Sequence, residues 1–75
     1  MAKAAVYKIV VRGELENRFS NLLEGMTLEH TAGTTVLTGP VVDQSRLLGL
    51  IVLLMDLRLE ILLVEQTALE ITEAL

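Results

Sequence analysis

The sequence predicts a single α+β domain of the ferredoxin-like kind, a two-layer sandwich in which two helices cover one face of a four-stranded antiparallel sheet. Three observations predict this fold. The chain has only 75 residues, its apolar residues change between strand and helix spacing in the order β-α-β-β-α-β, and glycine or proline marks most of the changes. The domain covers residues 1–75, with residues 67–75 as a possible extra element at its end.

The first predicted strand and helix differ in the period of their apolar residues. Residues 5–12 alternate, with Tyr7, Ile9 and Val11 on the face expected to point inward. From residue 14 to about residue 25 the spacing becomes helical, with polar residues on the other side. The apolar positions of this predicted helix are Leu15, Phe19, Leu22, Leu23 and Met26.

The middle of the chain predicts a β-hairpin. Its strands are residues 26–31 and 34–38, joined by the dipeptide Ala32-Gly33, in which glycine can adopt a positive φ. The Gly39-Pro40 step is expected at the end or the margin of the second hairpin strand, because proline cannot donate a ladder hydrogen bond.

A second helix and a last strand complete the predicted order. Asp43 is the expected N-cap of a helix that runs to about Leu57, and residues 59–66 read as a strand with apolar residues on both faces. The tail from residue 67 fits either a longer strand or a short helix, and both stay open. Right-handed crossovers give the spatial strand order 4-1-3-2, with the second and last strands at the edges.

The second predicted helix is apolar nearly all round. Leu50 and Leu54 belong to the stripe that covers the sheet, yet most residues of the opposite half are apolar too. A chain of 75 residues has no further layer to cover that half, and the last strand is an edge without proline or inward charge. We therefore predict a homo-oligomer, a homodimer or a higher closed assembly, with a single enlarged monomer core as the alternative. The predicted interface residues are Leu48, Gly49, Val52, Leu53, Met55, Leu62 and Val64.

Composition excludes several classes of function. A net charge of −4 and only two aromatic residues argue against nucleic-acid binding, and the absence of cysteine excludes disulfides and thiolate metal sites. The longest uncharged apolar run, residues 47–55, is far shorter than the roughly 20 residues of a membrane span. The amino terminus does not read as a secretory signal, so we expect a cytoplasmic protein. Basic residues near the start and acidic residues after residue 59 could attract one another or be solvated separately.

The sequence gives few candidates for chemistry. His30 is the only histidine and is predicted to be a surface or hydrogen-bonded residue; no cofactor, metal site or catalytic set is expected. At the start of the second helix an anion or small ligand could be held by backbone N–H groups and side chains. These side chains are Asp43, Gln44, Ser45 and Arg46. The competing interpretation is that Asp43 caps the helix and the other three are solvated.

A stretch at residues 39–50 carries a resemblance to a known group. It has the pattern G-P-V-x-D-Q-x-x-L-x-G-L, and together with residues 7–13 and 33–38 it is similar to a group of small uncharacterised bacterial proteins. The resemblance implies no known activity. Relatives in this group carry an aromatic residue or histidine at the position of Leu48 and polar residues at those of Val52 and Leu53. The apolar residues of this chain therefore strengthen the prediction that the outer face of the helix meets a partner.

Three functions follow from these observations. The first is a non-enzymatic module that associates with copies of itself. The second is a regulatory domain that binds a small molecule, because ACT-type domains share this element order and bind ligands between subunits. The third is a small dimeric α+β-barrel enzyme, for which His30, Arg46 and Asp43 are the candidate polar groups.

Overall fold

One antiparallel sheet and one helix make up the described fold. The computed structural model describes residues 3–16, 19, 23 and 25–71. The elements are β1 (Lys3–Arg12), β2 (Thr27–Thr31), β3 (Thr34–Val41), α1 (Gln44–Asp56) and β4 (Glu60–Ile71). The four strands lie in the order β2-β3-β1-β4, and every neighbouring pair is antiparallel. The α+β class and the strand order predicted from the sequence are confirmed.

The first predicted helix is wrong for the residues that can be described, so the two-helix ferredoxin-like order is not formed. Residues 14–16, 19, 23 and 25 lie outside any α-helix, and the other positions of this predicted helix, Leu22 among them, are outside the described residues. The N–H of Phe19 donates to the carbonyl of Glu16 at 3.0 Å, which is a single turn with a spacing of three residues. An α-helix would instead have used the carbonyl of Leu15 for that bond.

Hydrogen bonds to the sheet explain why the segment after β1 is not helical. The N–H of Leu15 donates to the Thr35 hydroxyl at 2.9 Å, and that hydroxyl donates to the carbonyl of Gly13 at 2.9 Å. The carbonyl of Leu15 is bonded to Nε2 of His30. Because His30 is bonded to the carbonyl of Leu15, that carbonyl does not accept the N–H of Phe19 as it would in an α-helix, and the bond to Thr35 fixes Leu15 against the sheet. We call Thr35, His30 and their partners Gly13 and Leu15 the β-latch.

The core lies between one face of the sheet and a layer formed by α1 and the segment that connects β1 to β2. Ile9 and Val11 of β1, from the predicted inward face, are fully buried, and Leu50 and Leu54 of α1 pack onto them as part of one cluster. The remaining buried apolar residues of this cluster are Leu15, Leu23, Met26, Leu37 and Val41.

The predicted β-hairpin is confirmed. Ala32 and Gly33 both have positive φ, +45° and +85°, as a two-residue turn with the twist of the flanking strands requires. The second hairpin strand continues through Gly39-Pro40 to Val41. Proline is accepted there because β2 pairs with β3 only as far as Thr38, so β3 has no neighbour on that side beyond this point.

Helix α1 has the predicted start and a defined end. The Asp43 side chain accepts a hydrogen bond from the N–H of Arg46 at 2.8 Å, so Asp43 is the N-cap. At the other end Arg58 has a φ of +65°, its N–H bonds to the carbonyl of Met55, and the N–H of Leu59 bonds to that of Leu54. These two bonds form a Schellman motif, which ends the helix and turns the chain into β4.

Strand β4 is much longer than the helix that precedes it. Its 12 residues span about 40 Å, whereas the 13 residues of α1 span about 20 Å. The molecule measures 41 × 22 × 21 Å, so the strands set its long axis. Residues 67–71 therefore extend the strand, and residues 72–75 are outside the described residues. Of the two alternatives for the charges, attraction is present in one case, an exposed ion pair between Arg12 Nε and Glu60 Oε1 at 2.9 Å, formed by residues that pair directly in the sheet.

Candidate association surface

Two grooves establish which side of α1 faces β4. Gln44 lines a groove of about 240 Å³ together with Tyr7 of β1 and Gln66 of β4. Arg46 lines another groove, of about 460 Å³, together with Gly25 and other residues at the β3 side. The side of the helix that carries Gln44 is therefore directed toward β4, and the side that carries Arg46 is directed away from it.

Three exposed apolar residues of α1 lie on the half of the helix that carries Gln44. Leu48, Val52 and Met55 are 61%, 47% and 59% exposed; at 3.6 residues per turn Leu48 and Met55 lie within about 40° of Gln44, toward β4, whereas Val52 lies opposite the buried side of the helix and points away from the sheet. Ile51, which is half-buried, lies between them and the core. We call Leu48, Val52 and Met55 the α1 flank. It carries no charged residue, although an exposed helix face is normally charged or polar.

Strand β4 forms an edge of the sheet and is exposed on both faces. Residues 62–67 are exposed without interruption, and Leu62, Leu63 and Val64 are the apolar ones. Val64 pairs with Ile9, which is fully buried, so both residues point to the core face of the sheet. Because Val64 is nevertheless 38% exposed, whereas Ile61 packs against the core, the layer that covers Ile9 leaves the Val64 position of β4 partly open.

The opposite edge of the sheet differs from β4 in length and polarity. Strand β2 has five residues, it carries Glu29, and its His30 is bonded to Leu15 in the β-latch. Short length and charge are common ways of preventing an edge strand from pairing with another chain. β2 and residues 62–67 of β4 each carry one charged residue, Glu29 and Glu65. The β4 edge is the less protected of the two because it is longer and exposes three apolar residues, Leu62, Leu63 and Val64.

The predicted interface residues do not all lie on this surface. Leu48, Val52, Met55, Leu62 and Val64 are exposed on the α1 flank and on β4. Gly49 is exposed on another side of α1, about 140° from Gln44, where a Cβ atom would meet no other atom within 4 Å. Leu53 is half-buried and packs against the core.

Two exposed apolar residues were missed in the sequence. Simple alternation along residues 59–66 would place Leu63 on the same face as Ile61, but a β-bulge at Leu62 shifts the register, so Leu63 pairs with Val10 on the open face of the sheet. Val42 is 60% exposed in the connection between β3 and α1, and it lines both grooves. Its place beside a proline in a connection gave no pattern that could have predicted this.

The structure separates the predicted ligand residues at the start of α1. Asp43 and Gln44 line one groove, Arg46 lines the other, and Ser45 is exposed. The carboxylate of Asp43 already bonds to the N–H of Arg46, so the protein supplies its own anion at this helix end. Anion binding at these four residues stays a prediction.

Neither metal ligands nor a membrane span can be identified in the part of the chain that the structure describes. No three His, Asp or Glu side chains there converge on a point where an ion could be held. Helix α1, with 13 residues, is too short to cross a bilayer, and the described residues contain no longer apolar helix.

One known protein family matches most of the chain. The family model described as Domain of unknown function (DUF8691) matches residues 6–65. The chain belongs to this family. The DUF8691 match begins inside β1 and ends inside β4, so it includes the core, the α1 flank and the exposed apolar residues of β4. No curated protein and no solved structure matches the chain. The exposed surface of this DUF8691 domain is therefore the basis for its proposed function.

Proposed function

We propose that the protein is a self-associating module, and that its role is to form a homo-oligomer through the α1 flank and the β4 edge. The observation that carries the proposal is that exposed apolar residues of α1 and of the neighbouring edge strand β4 lie close together without a layer over them in the described part of the chain. The other edge of the sheet is short and carries Glu29, whereas no charged residue belongs to the α1 flank.

The exposed area is large enough for a specific interface. The α1 flank together with Leu62 and Val64 exposes on the order of 400 Å² in each copy, so two copies offer about 800 Å² of apolar surface, and polar atoms of β4 add to this toward the roughly 1,000 Å² of a biological interface. At about 25 cal/mol per Å², this apolar area sets an upper limit of about 20 kcal/mol on the hydrophobic contribution, from which an association cost of about 4–15 kcal/mol is subtracted. The unpaired backbone of β4 adds hydrogen bonds to this total.

Sedimentation velocity at micromolar concentration tests the proposal. We expect the wild-type chain to sediment with at least twice the 8.2 kDa mass of one copy. The variant Met55→Glu places a charge on the α1 flank and is expected to sediment as a monomer, because the carboxylate would have to be buried. The matched control Thr27→Glu adds the same charge on exposed β2 and is expected to retain the wild-type mass. A wild-type monomer would contradict the proposal.

The smaller groove supports binding of a small polar molecule as a second candidate function. Tyr7, Gln44 and Gln66 bring a phenol and two amides to one opening beside the α1 flank. A thermal-shift screen with amino acids and small anions tests this candidate, since a ligand at 100 times its dissociation constant stabilises by about 2.7 kcal/mol. We expect Gln66→Ala to abolish any shift. The absence of a shift across the panel would contradict ligand binding and would leave self-association unaffected.

A further inference from the structure

We infer that two copies pair β4 with β4 in antiparallel orientation, about a two-fold axis that passes through Val64, and so form one continuous eight-stranded sheet. This inference rests on the proposed self-association and specifies its geometry. The partner is a second copy of this chain, and the contact is isologous, with the same residues on both sides.

With a two-fold axis perpendicular to the sheet, a single interface would include both the β4 edge and residues of the α1 flank. It joins the two β4 edges and keeps the core faces of both copies on the same side. Because Leu48 and Met55 lie toward β4, these residues of the two copies then face each other across the junction. Val64, which points to the core face and is only partly covered there, comes to lie near them. Packing through the open face of the sheet would leave β4 and the flank uncovered.

The bulges of β4 restrict the register. The segment from Leu63 to Gln66 pairs with β1 without interruption, and a register shift follows at each end. In an antiparallel pair, two residues directly opposite each other point to the same face of the sheet. The two-fold axis must therefore set a residue opposite its own copy, because an axis between two neighbouring residues would pair side chains of opposite faces. Only two positions of the axis, Val64 and Glu65, keep three successive pairs within this regular segment.

Charge selects between these two positions. An axis at Glu65 would set the two Glu65 carboxylates directly opposite each other, and like charges in that arrangement destabilise a sheet. An axis at Val64 sets Val64 against its own copy and Glu65 against Leu63 of the second copy. The apolar side chains then meet at the centre of the junction, and the two carboxylates are separated.

Cysteine cross-linking tests the register, because the natural chain contains no cysteine. Residues directly opposite in an antiparallel pair have Cα atoms about 4.5–5.5 Å apart, within the range that a disulfide accepts. We expect Val64→Cys to form a covalent dimer at least about tenfold faster under mild oxidation than Thr67→Cys, whose two copies would lie about 20 Å apart. Both positions are exposed on β4 and differ chiefly in their distance from the axis.

Each result of this experiment is informative when it is combined with the sedimentation of the wild-type chain. A wild-type dimer with fast cross-linking at Val64→Cys supports the inference. If the wild-type chain is a dimer but Val64→Cys cross-links no faster than Thr67→Cys, the inferred register is overturned and self-association still stands. Faster cross-linking of a Glu65→Cys variant would place the axis at Glu65. A wild-type monomer overturns the register and the proposed function together.

Discussion

Thr35 is the only fully buried polar side chain among the residues that the structure describes, and its hydroxyl is fully used. It accepts from the N–H of Leu15 and donates to the carbonyl of Gly13, so a single side chain holds the start of the segment that follows β1. A backbone acceptor for the N–H of Leu15 would have required another strand beside it. The threonine thus allows an irregular segment to pack onto the core without leaving buried polar groups unpaired.

Removing this hydroxyl should destabilise the fold. We expect Thr35→Val to lower the free energy of unfolding by about 1–3 kcal/mol, because the N–H of Leu15 would lose its partner in a buried site. Urea denaturation measures the change. Thr35→Ser is the matched control, since it keeps the hydroxyl and removes only a methyl group. If the valine variant were as stable as the serine variant, the β-latch would not contribute to stability.

The turn residue Ala32 offers a change in the opposite direction. Its φ of +45° lies in the left-handed region, which costs a residue with a Cβ atom about 1–2 kcal/mol. Asparagine tolerates this conformation better, so we expect Ala32→Asn to raise the free energy of unfolding by about 0.5–1 kcal/mol. Chemical denaturation checks this. The β-branched variant Ala32→Val should be less stable than the wild type, and a reversed order would contradict the turn geometry.

At the level of the elements, local sequence signals led to correct predictions where residues close in sequence determine the structure. The Ala32-Gly33 turn and the Asp43 cap each act within four residues, and both the hairpin and α1 were predicted from them. The first predicted helix failed because its hydrogen-bonding groups are taken by Thr35 and His30, which lie 15 residues or more further along the chain. Helical spacing at Leu15 and Leu23 correctly predicted burial but not backbone conformation.

The association surface was predicted in part for the same reason. The apolar residues of α1 and β4 are visible in the sequence, and six of the seven predicted interface positions are exposed, Leu53 being the exception. The side toward which each one points depends on how α1 crosses the sheet and on the two bulges of β4. Neither feature has a local signal, so the places of Leu53 and Leu63 could not be predicted.

The N-cap of α1 gives a prediction at this scale. We expect Asp43→Ala to lower the free energy of unfolding by about 1 kcal/mol, because the N–H of Arg46 loses its acceptor and the helix loses a negative charge at its start. Asp43→Asn keeps an acceptor oxygen and should cost less. Thermal unfolding followed by circular dichroism measures both variants. An alanine variant with the wild-type midpoint would contradict a stabilising cap.

For the whole molecule, the mismatch in length between the strands and α1 is the dominant feature. The Cα radius of gyration is 12.4 Å, compared with about 11 Å for a compact domain of this length. At one end of the sheet Lys3 and Ala4 of β1 pair with β4 beyond the end of β3. A ribbon of two strands is only marginally stable in water, so this end of the sheet is expected to be its least stable part.

Self-association therefore predicts that stability depends on concentration. We expect the thermal midpoint of the wild-type chain to fall when the protein is diluted tenfold, because dissociation is coupled to unfolding. Differential scanning calorimetry at two concentrations measures the shift. The midpoint of Met55→Glu should be the same at both concentrations, whereas that of Thr27→Glu should fall as in the wild type. A wild-type midpoint unaffected by dilution would contradict coupling between the copies.

The brevity and polarity of β2 set a limit on growth. A sheet with two edge strands that can both pair with another copy would add copies indefinitely and form a fibre. This is a common risk for a chain rich in leucine and valine. In the proposed dimer the β4 edges of both copies are paired with each other, and both outer edges of the sheet are β2. Assembly of this kind would stop at two copies, because the shortest strand of each copy forms the remaining edge.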